Sequence, residues 1–192
     1  GSEVTPYASI ITEEKKKKSL SHQNICPSIA IVDPSLTVTT PKSVTAMGGM
    51  DALSQCIEAY WSKWHTPISD AFALSGAEMV FNNLTNAFNF PENINYREKM
   101  SLGSLFSGVA IGISRTTMVH AVSYPLTVHF GIPHGLACAL TLPSFIRYNA
   151  QDSESRIEEL SKKLGASTPE NLIQKILDLI STLKLPKRLS AF

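Results

Sequence analysis

Cysteine is scarce in this 192-residue chain, and what there is does not pair. Cys26, Cys56 and Cys138 are odd in number and none stands in a Cys-x-x-Cys spacing, which excludes a disulfide framework and reads as buried thiols of a reducing cytoplasm. No apolar run approaches the ~18 residues of a membrane span, and the start lacks a secretory leader pattern. An excess of one charge is missing too. Seventeen Lys and Arg oppose sixteen Asp and Glu for a net +1, which implies no field for nucleic acid or for an anionic membrane surface. Nothing like G-x-G-x-x-G occurs, so the chain has no glycine-rich phosphate turn of its own. Repeats are absent, and the one low-complexity stretch, the lysines of residues 15–18, reads as a solvated turn.

What is present describes a packed chain. Hydrophobic residues make up 43% and charged residues 17%, which is the balance of a core-forming protein and not of a disordered one. Residues 3–12 alternate and are rich in β-branched side chains, so they predict a strand, and residues 18–21 a short return strand. Ile29-Ala30-Ile31-Val32 reads as a buried strand closed by Asp33-Pro34. After Pro41 the pattern turns helical, which places a domain boundary between residues 41 and 42. Helices are expected over 42–63, from Thr66-Pro67 to about 89, and over 96–113, 116–127 and 134–149. Two amphipathic helices follow at about 152–164 and 169–182, the first ended by Gly165 and the second capped by Thr168 with Pro169 at its first position. Pro125 and Gly131-Ile132-Pro133 are expected to break the helical pattern, so that two helices turn back on each other.

That turn matters because His120 and His134 lie on either side of it, fourteen residues apart among apolar and small residues. Far upstream, Asp51 and Gln55 stand at i and i+4, on one face of a helix. A carboxylate among Ala, Leu and Gly is expensive to bury without a partner. No basic residue stands near it in sequence, so a cation is its natural counter-charge. Asp51, His120 and His134 make a ligand set for zinc or ferrous iron with room for a substrate oxygen. Gln55 reads either as a weak fourth ligand or as a residue that orients Asp51 or a water. Arg115, entering the helix of His120, reads as a surface charge or as an anchor for an anionic substrate group. Glu58 and Glu78 read as ordinary helix-face carboxylates, with outer-sphere duty open for Glu58, and His22, His65 and His129 as surface or packing residues.

Several of these stretches resemble the iron-containing, or group III, alcohol dehydrogenases: Gly1-Ser2-Glu3-Val4-Thr5, Val32-Asp33-Pro34, Gly49-Met50-Asp51-Ala52-Leu53, Ile57-Glu58-Ala59-Tyr60 and Pro133-His134-Gly135 running into Leu142-Pro143 and Tyr148-Asn149. The resemblance implies a mainly α chain: the C-terminal helical, metal-binding domain of such an enzyme at residues 42–192, cut short at its end. Residues 1–41 would then supply the last strands of a dinucleotide-binding domain, the piece beginning inside a parent about twice as long. It implies Fe2+ or Zn2+ at Asp51, His120 and His134, with Gln55 where the family usually carries a third histidine. It implies NAD(H) or NADP(H), with Thr5, Lys18 and Leu36 as the remaining cofactor contacts. Tyr124 stands where many members have a further histidine, and is expected in proton relay.

Gln55 with Tyr60-Trp61-Ser62, and Ser114-Arg115-Thr116-Thr117 before His120, resemble the members that reduce phosphonoacetaldehyde to 2-hydroxyethylphosphonate, with Arg115 as the phosphonate partner. The expected partner is thus a small aldehyde or alcohol in the cytoplasm, with no nucleic acid and no membrane, and homodimerisation open. Three other readings compete: a general primary-alcohol dehydrogenase of the same family, a non-catalytic helical metal-binding fragment, and a cyclising synthase akin to dehydroquinate synthase. The Gly-Met-Asp and Pro-His-Gly contexts match the dehydrogenases better than the synthases.

Overall fold

In the computed structural model, which describes residues 1–13, 17–152 and 156–191, seven α-helices form the body and one hairpin flanks them. The hairpin pairs β1 (Tyr7–Ile11) with β2 (Lys17–Ser21) antiparallel, Ser9 opposite Ser19. The strand expected over 3–12 is shorter than its pattern because Ser2–Val4 coils into a 3-10 turn. The expected turn lies partly outside the described residues.

The helices are α1 (Lys42–Trp61), α2 (Pro67–Asn89), α3 (Ile94–Ser114), α4 (Met118–Phe130), α5 (His134–Asn149), α6 (Ile157–Lys163) and α7 (Pro169–Thr182). Their starts follow from local chemistry. The Thr66 hydroxyl accepts from the Ser69 N–H at 3.1 Å while the Ser69 hydroxyl takes the Thr66 N–H at 2.8 Å, a reciprocal cap with Pro67 at the first helical position. Thr168 caps α7 in the same position relative to Pro169. Helix α1 is the core element: Met50, Leu53, Ile57 and Tyr60 are fully buried, and the helix packs against α2, α3 and α5. Each such burial is worth about 1.5–3 kcal/mol, so apolar packing fixes α1, and its polar residues are carried to wherever that packing puts them.

Two expectations fail. Ile29 and Ile31 are 81% and 87% exposed and residues 29–32 form no strand, because a strand needs a pairing neighbour and the described strands β1 and β2 pair only with each other. Pro125 does not break α4, which runs through it to Phe130; Ala121 and Pro125 are both on the exposed side, where the carbonyl that loses its N–H partner faces water. The break comes at Gly131-Ile132-Pro133 as expected, opened by Gly131, whose φ of 69° is the left-handed conformation glycine adopts without strain. No single helix among the described residues is long and apolar enough to cross a membrane.

Candidate metal centre

Helix α1 presents Asp51, Gln55 and Glu58 at i, i+4 and i+7, one stripe of the helix. Helix α4 leaves α3 at a 107° bend and carries His120 in its first turn. Helix α5 opens with His134, and its approach depends on the next residue: a β-carbon at Gly135 would overlap the backbone carbonyl of Met47 on α1. With glycine there the two helices close up, and both imidazoles reach the Asp51 carboxylate. His120 Nε2 lies 3.1 Å and His134 Nε2 3.6 Å from Asp51 Oδ1.

The outer nitrogens of the two rings decide what the inner ones can do. His120 Nδ1 is hydrogen-bonded to Oε2 of Glu58, which is completely buried. A carboxylate accepts, so Nδ1 carries the proton. The Ser123 hydroxyl donates to the His120 carbonyl at 2.7 Å and lies 3.2 Å from His134 Nδ1, so that this Nδ1 donates to the serine oxygen. In both neutral rings the Nε2 lone pair is therefore turned toward Asp51. Two lone pairs and a carboxylate converging on one point repel one another unless a proton or a cation stands between them. Burial works against charge on His120, yet its hydrogen bonds with Asp51, Cys138 and Glu58 outweigh burial and push its pKa well above the ordinary value. Burial likewise works to raise the Asp51 carboxyl, but the His120 hydrogen bond and the charge of the nearby imidazoles overcome it and hold the carboxyl below its usual range. A divalent cation fits this donor set directly, since it replaces the proton and satisfies all three groups at once.

Gln55 is held between two neighbours: its Nε2 donates to Asp51 Oδ2 at 3.2 Å and its Oε1 accepts from Ser107 at 2.8 Å. In this arrangement the amide steadies the carboxylate and its oxygen faces α3. Two further residues join the centre: Glu58, for which the sequence left outer-sphere duty open, and Cys138, which it marked only as a buried thiol. Glu58 Oε1 accepts from the Thr117 N–H at 2.8 Å, the Thr117 hydroxyl at 2.7 Å and the Val119 N–H at 3.0 Å, so it caps α4 from a different helix while it holds His120. Its position two turns beyond Asp51 was the available signal. Cys138 Sγ lies 4.0 Å from His134 Nε2, and the donor atoms of Asp51, His120, His134 and Cys138 all fall within 4.8 Å of one another. Its i+4 relation to His134 was readable as one helix face.

A cavity of about 490 Å³ opens over the centre, with His120 and His134 in its wall. Tyr124 lines it, stacked on His134 at 5.9 Å, and burial raises its phenol above the ordinary pKa. Arg115 lines it too. This residue ends α3 at φ 64°, ψ 170°, a conformation nearly confined to glycine, and its guanidinium lies 5.0 Å from the centroid of the Trp64 ring. Thr5 reaches this cavity, whereas Leu36 lines a second one of about 430 Å³ on the other side of the first residues, and Lys18 is exposed on β2. The three expected cofactor contacts therefore do not meet in one cavity. Cys56 is buried and Cys26 only half-buried, which corrects the expectation of three buried thiols.

Residues 45–192 match the model of the Fe-containing alcohol dehydrogenase family, C-terminal. Alcohol dehydrogenase 4 of Saccharomyces cerevisiae is 34% identical over 193 residues, covering 98% of this chain and 50% of that protein. The 1,3-propanediol dehydrogenase of Klebsiella pneumoniae is 35% identical over 166 residues, 85% of this chain and 43% of that protein. Among solved structures, sulfoacetaldehyde reductase from Bifidobacterium kashiwanohense in complex with NAD+ superposes with a TM-score of 0.94 at 39% identity, over 98% of this chain and 50% of that one. The chain spans about half the length of the curated relatives it matches.

Proposed function

The chain belongs to the iron-containing alcohol dehydrogenase family, and from that premise we propose that the intact protein is a metal- and NAD(P)-dependent reductase of small aldehydes that carry an anionic head group, with phosphonoacetaldehyde as the favoured substrate. One observation carries the anionic preference. Among the described residues, the cavity over Asp51, His120 and His134 is lined by one basic residue, Arg115, by hydroxyls including Thr5, Ser9 and Thr116, and by no carboxylate. A phosphonate or sulfonate fits such a wall, because Arg presents a planar fork of donors to tetrahedral oxyanions. The Bifidobacterium relative, named for an aldehyde that bears a sulfonate, supports the same substrate class.

In this reading Asp51, His120 and His134 hold the divalent cation. When bound, the cation supplies Lewis acidity toward the aldehyde oxygen and the nicotinamide cofactor supplies the hydride. The chain's own residues do the rest. Glu58 and Ser123 keep the Nδ1 protons in place, so that neither ring turns its Nε2 away. Gln55 and Ser107 hold the orientation of Asp51. Tyr124, hydrogen-bonded with Thr116 at the cavity wall, holds a proton within reach of the reacting oxygen and passes it on as the alcohol forms. Arg115 fixes the charged end, so that the aldehyde end faces the histidines. Thr5, Lys18 and Leu36 contact the cofactor, and residues 1–41 belong with its binding domain while 42–192 form the metal domain.

The test is a screen of the intact, metal-loaded protein with phosphonoacetaldehyde, sulfoacetaldehyde and an uncharged aldehyde of equal length. Higher kcat/KM for the anionic aldehydes is expected; equal values would overturn the proposed preference. A general primary-alcohol dehydrogenase is the second reading, favoured by the relatives named for propanediol and for alcohol.

A further inference from the structure

We propose that the fourth protein ligand of the metal centre is the Cys138 thiolate and not the Gln55 amide, making an Asp-His-His-Cys site selective for zinc over ferrous iron. The inference rests on the metal-centre reading above and goes further by naming the ligand and the metal.

Gln55 is spoken for. Its nitrogen donates to Asp51 and its oxygen accepts from Ser107, and the reverse orientation would set two acceptor oxygens against each other at 3.2 Å. Cys138 stands differently. It lies one turn after His134 on α5, the i+4 relation by which two side chains of one helix share a cation. Its sulfur is 4.0 Å from His134 Nε2 and within 4.8 Å of the ligand atoms that His120 and Asp51 offer. Ligands at the usual zinc distances of about 2.0–2.3 Å sit roughly 3.3–3.7 Å apart at the corners of a tetrahedron. His120–Asp51, His134–Asp51 and Cys138–His134 stand at 3.1, 3.6 and 4.0 Å and no pair of the four donor atoms exceeds 4.8 Å, so the cluster closes on a cation by shifts of at most about an ångström.

The chemistry agrees with the placement. Cys138 gives up its proton to solvent as the sulfur takes the cation, and the thiolate with the Asp51 carboxylate then balances a 2+ ion in a site with no Lys or Arg among its donors. A thiolate is the softest donor available here, and with imidazole it favours zinc over harder divalent ions. Four protein ligands would still leave zinc able to accept a substrate oxygen by expansion to five-coordination.

The experiment replaces the native ion of the full chain with cobalt(II) and records the absorption spectrum of the wild type, Cys138→Ala and Gln55→Ala, each checked for a cooperative thermal melt. Sulfur-to-cobalt charge transfer in the near ultraviolet is expected in the wild type and in Gln55→Ala, and is expected to vanish in Cys138→Ala. A folded Cys138→Ala should also lose zinc affinity by more than the roughly 10- to 100-fold that an outer-sphere partner costs. One cobalt per chain without the charge-transfer band, or a band that survives in Cys138→Ala, overturns the thiolate ligand and leaves the centre itself standing. A folded wild type that takes up no cobalt overturns the metal centre as well.

Discussion

Glu58 on α1 and His120 on α4 share a hydrogen bond that is closed to solvent on both sides, the carboxylate being completely buried and the imidazole 4% exposed. The same carboxylate accepts from the N–H groups of Thr117 and Val119, so one side chain both starts α4 and sets the direction of the imidazole proposed as a metal ligand. Glu58→Gln keeps the shape but places an amide N–H where acceptors are needed. Removing one partner of a buried charged network costs about 3–5 kcal/mol, and a loss near the lower end is expected for this near-isosteric change. Urea denaturation measures that loss. Zinc titration of the folded variant should show affinity down by about 10- to 100-fold. Unchanged metal affinity would mean that Glu58 only caps the helix.

Gly135→Ala tests the closeness of α1 and α5 directly. The new methyl group meets the Met47 carbonyl, which is backbone and cannot rotate aside, so the helices must separate. Overpacking of this kind costs about 1–3 kcal/mol. His134 stands next door, and the separation should weaken metal binding more than the same change at Gly48, where a β-carbon would meet nothing within 4 Å. Isothermal titration with zinc of the two alanine variants checks the contrast; equal affinities would show that the helix spacing does not set the site.

How far the sequence reached follows from which interactions are local. Thr66 before Pro67 and Thr168 before Pro169 announce their helices because a cap and its N–H partner are three residues apart. Asp51, His120 and His134 stand out as polar groups in apolar company, and that contrast needs no coordinates. Glu58 looked ordinary because its partners, the N–H groups of Thr117 and Val119, the Thr117 hydroxyl and the His120 ring, all lie about sixty residues away, beyond any local pattern. Ile29 and Ile31 misled because an apolar β-branched run says that burial is wanted without saying what supplies it. Pro125 misled because a helix can run through a proline on its exposed face, where the structure can bend away from the ring and solvent is near the freed carbonyl.

Arg156 offers a prediction remote from the chemistry. Its Nη1 and Nη2 donate to Asp70 at 3.0 and 2.7 Å, Nη1 also donates to the Tyr60 carbonyl near the end of α1, and the guanidinium stacks 3.8 Å from the Tyr60 ring centroid. Lysine cannot reproduce a two-pronged contact and a stack together. Arg156→Lys should therefore lower stability by about 1–3 kcal/mol, the range for hydrogen bonds to charged groups, with metal stoichiometry unchanged. Chemical denaturation and metal analysis of one preparation measure both quantities. A variant as stable as wild type would show that the contact is ornamental.

In the proposed function Arg115 sets stability against substrate choice. Its φ of 64° and ψ of 170° fall in a region that costs a non-glycine residue about 1–3 kcal/mol, and glycine would adopt it without that strain. Against this gain Arg115→Gly loses the stack on Trp64, worth about 0.5–1 kcal/mol at an exposed site, and adds freedom to the unfolded chain. The balance predicts a variant at least as stable as the wild type. Its kcat/KM for an anionic aldehyde should nonetheless fall, because a charged hydrogen-bonding partner worth about 1.5–3 kcal/mol is gone, roughly a 10- to 150-fold loss, while an uncharged aldehyde keeps its rate. Thermal melts and steady-state rates on the paired substrates separate the outcomes. A destabilised variant would show that arginine at this position serves the fold, and equal losses on both aldehydes would remove Arg115 from anion recognition.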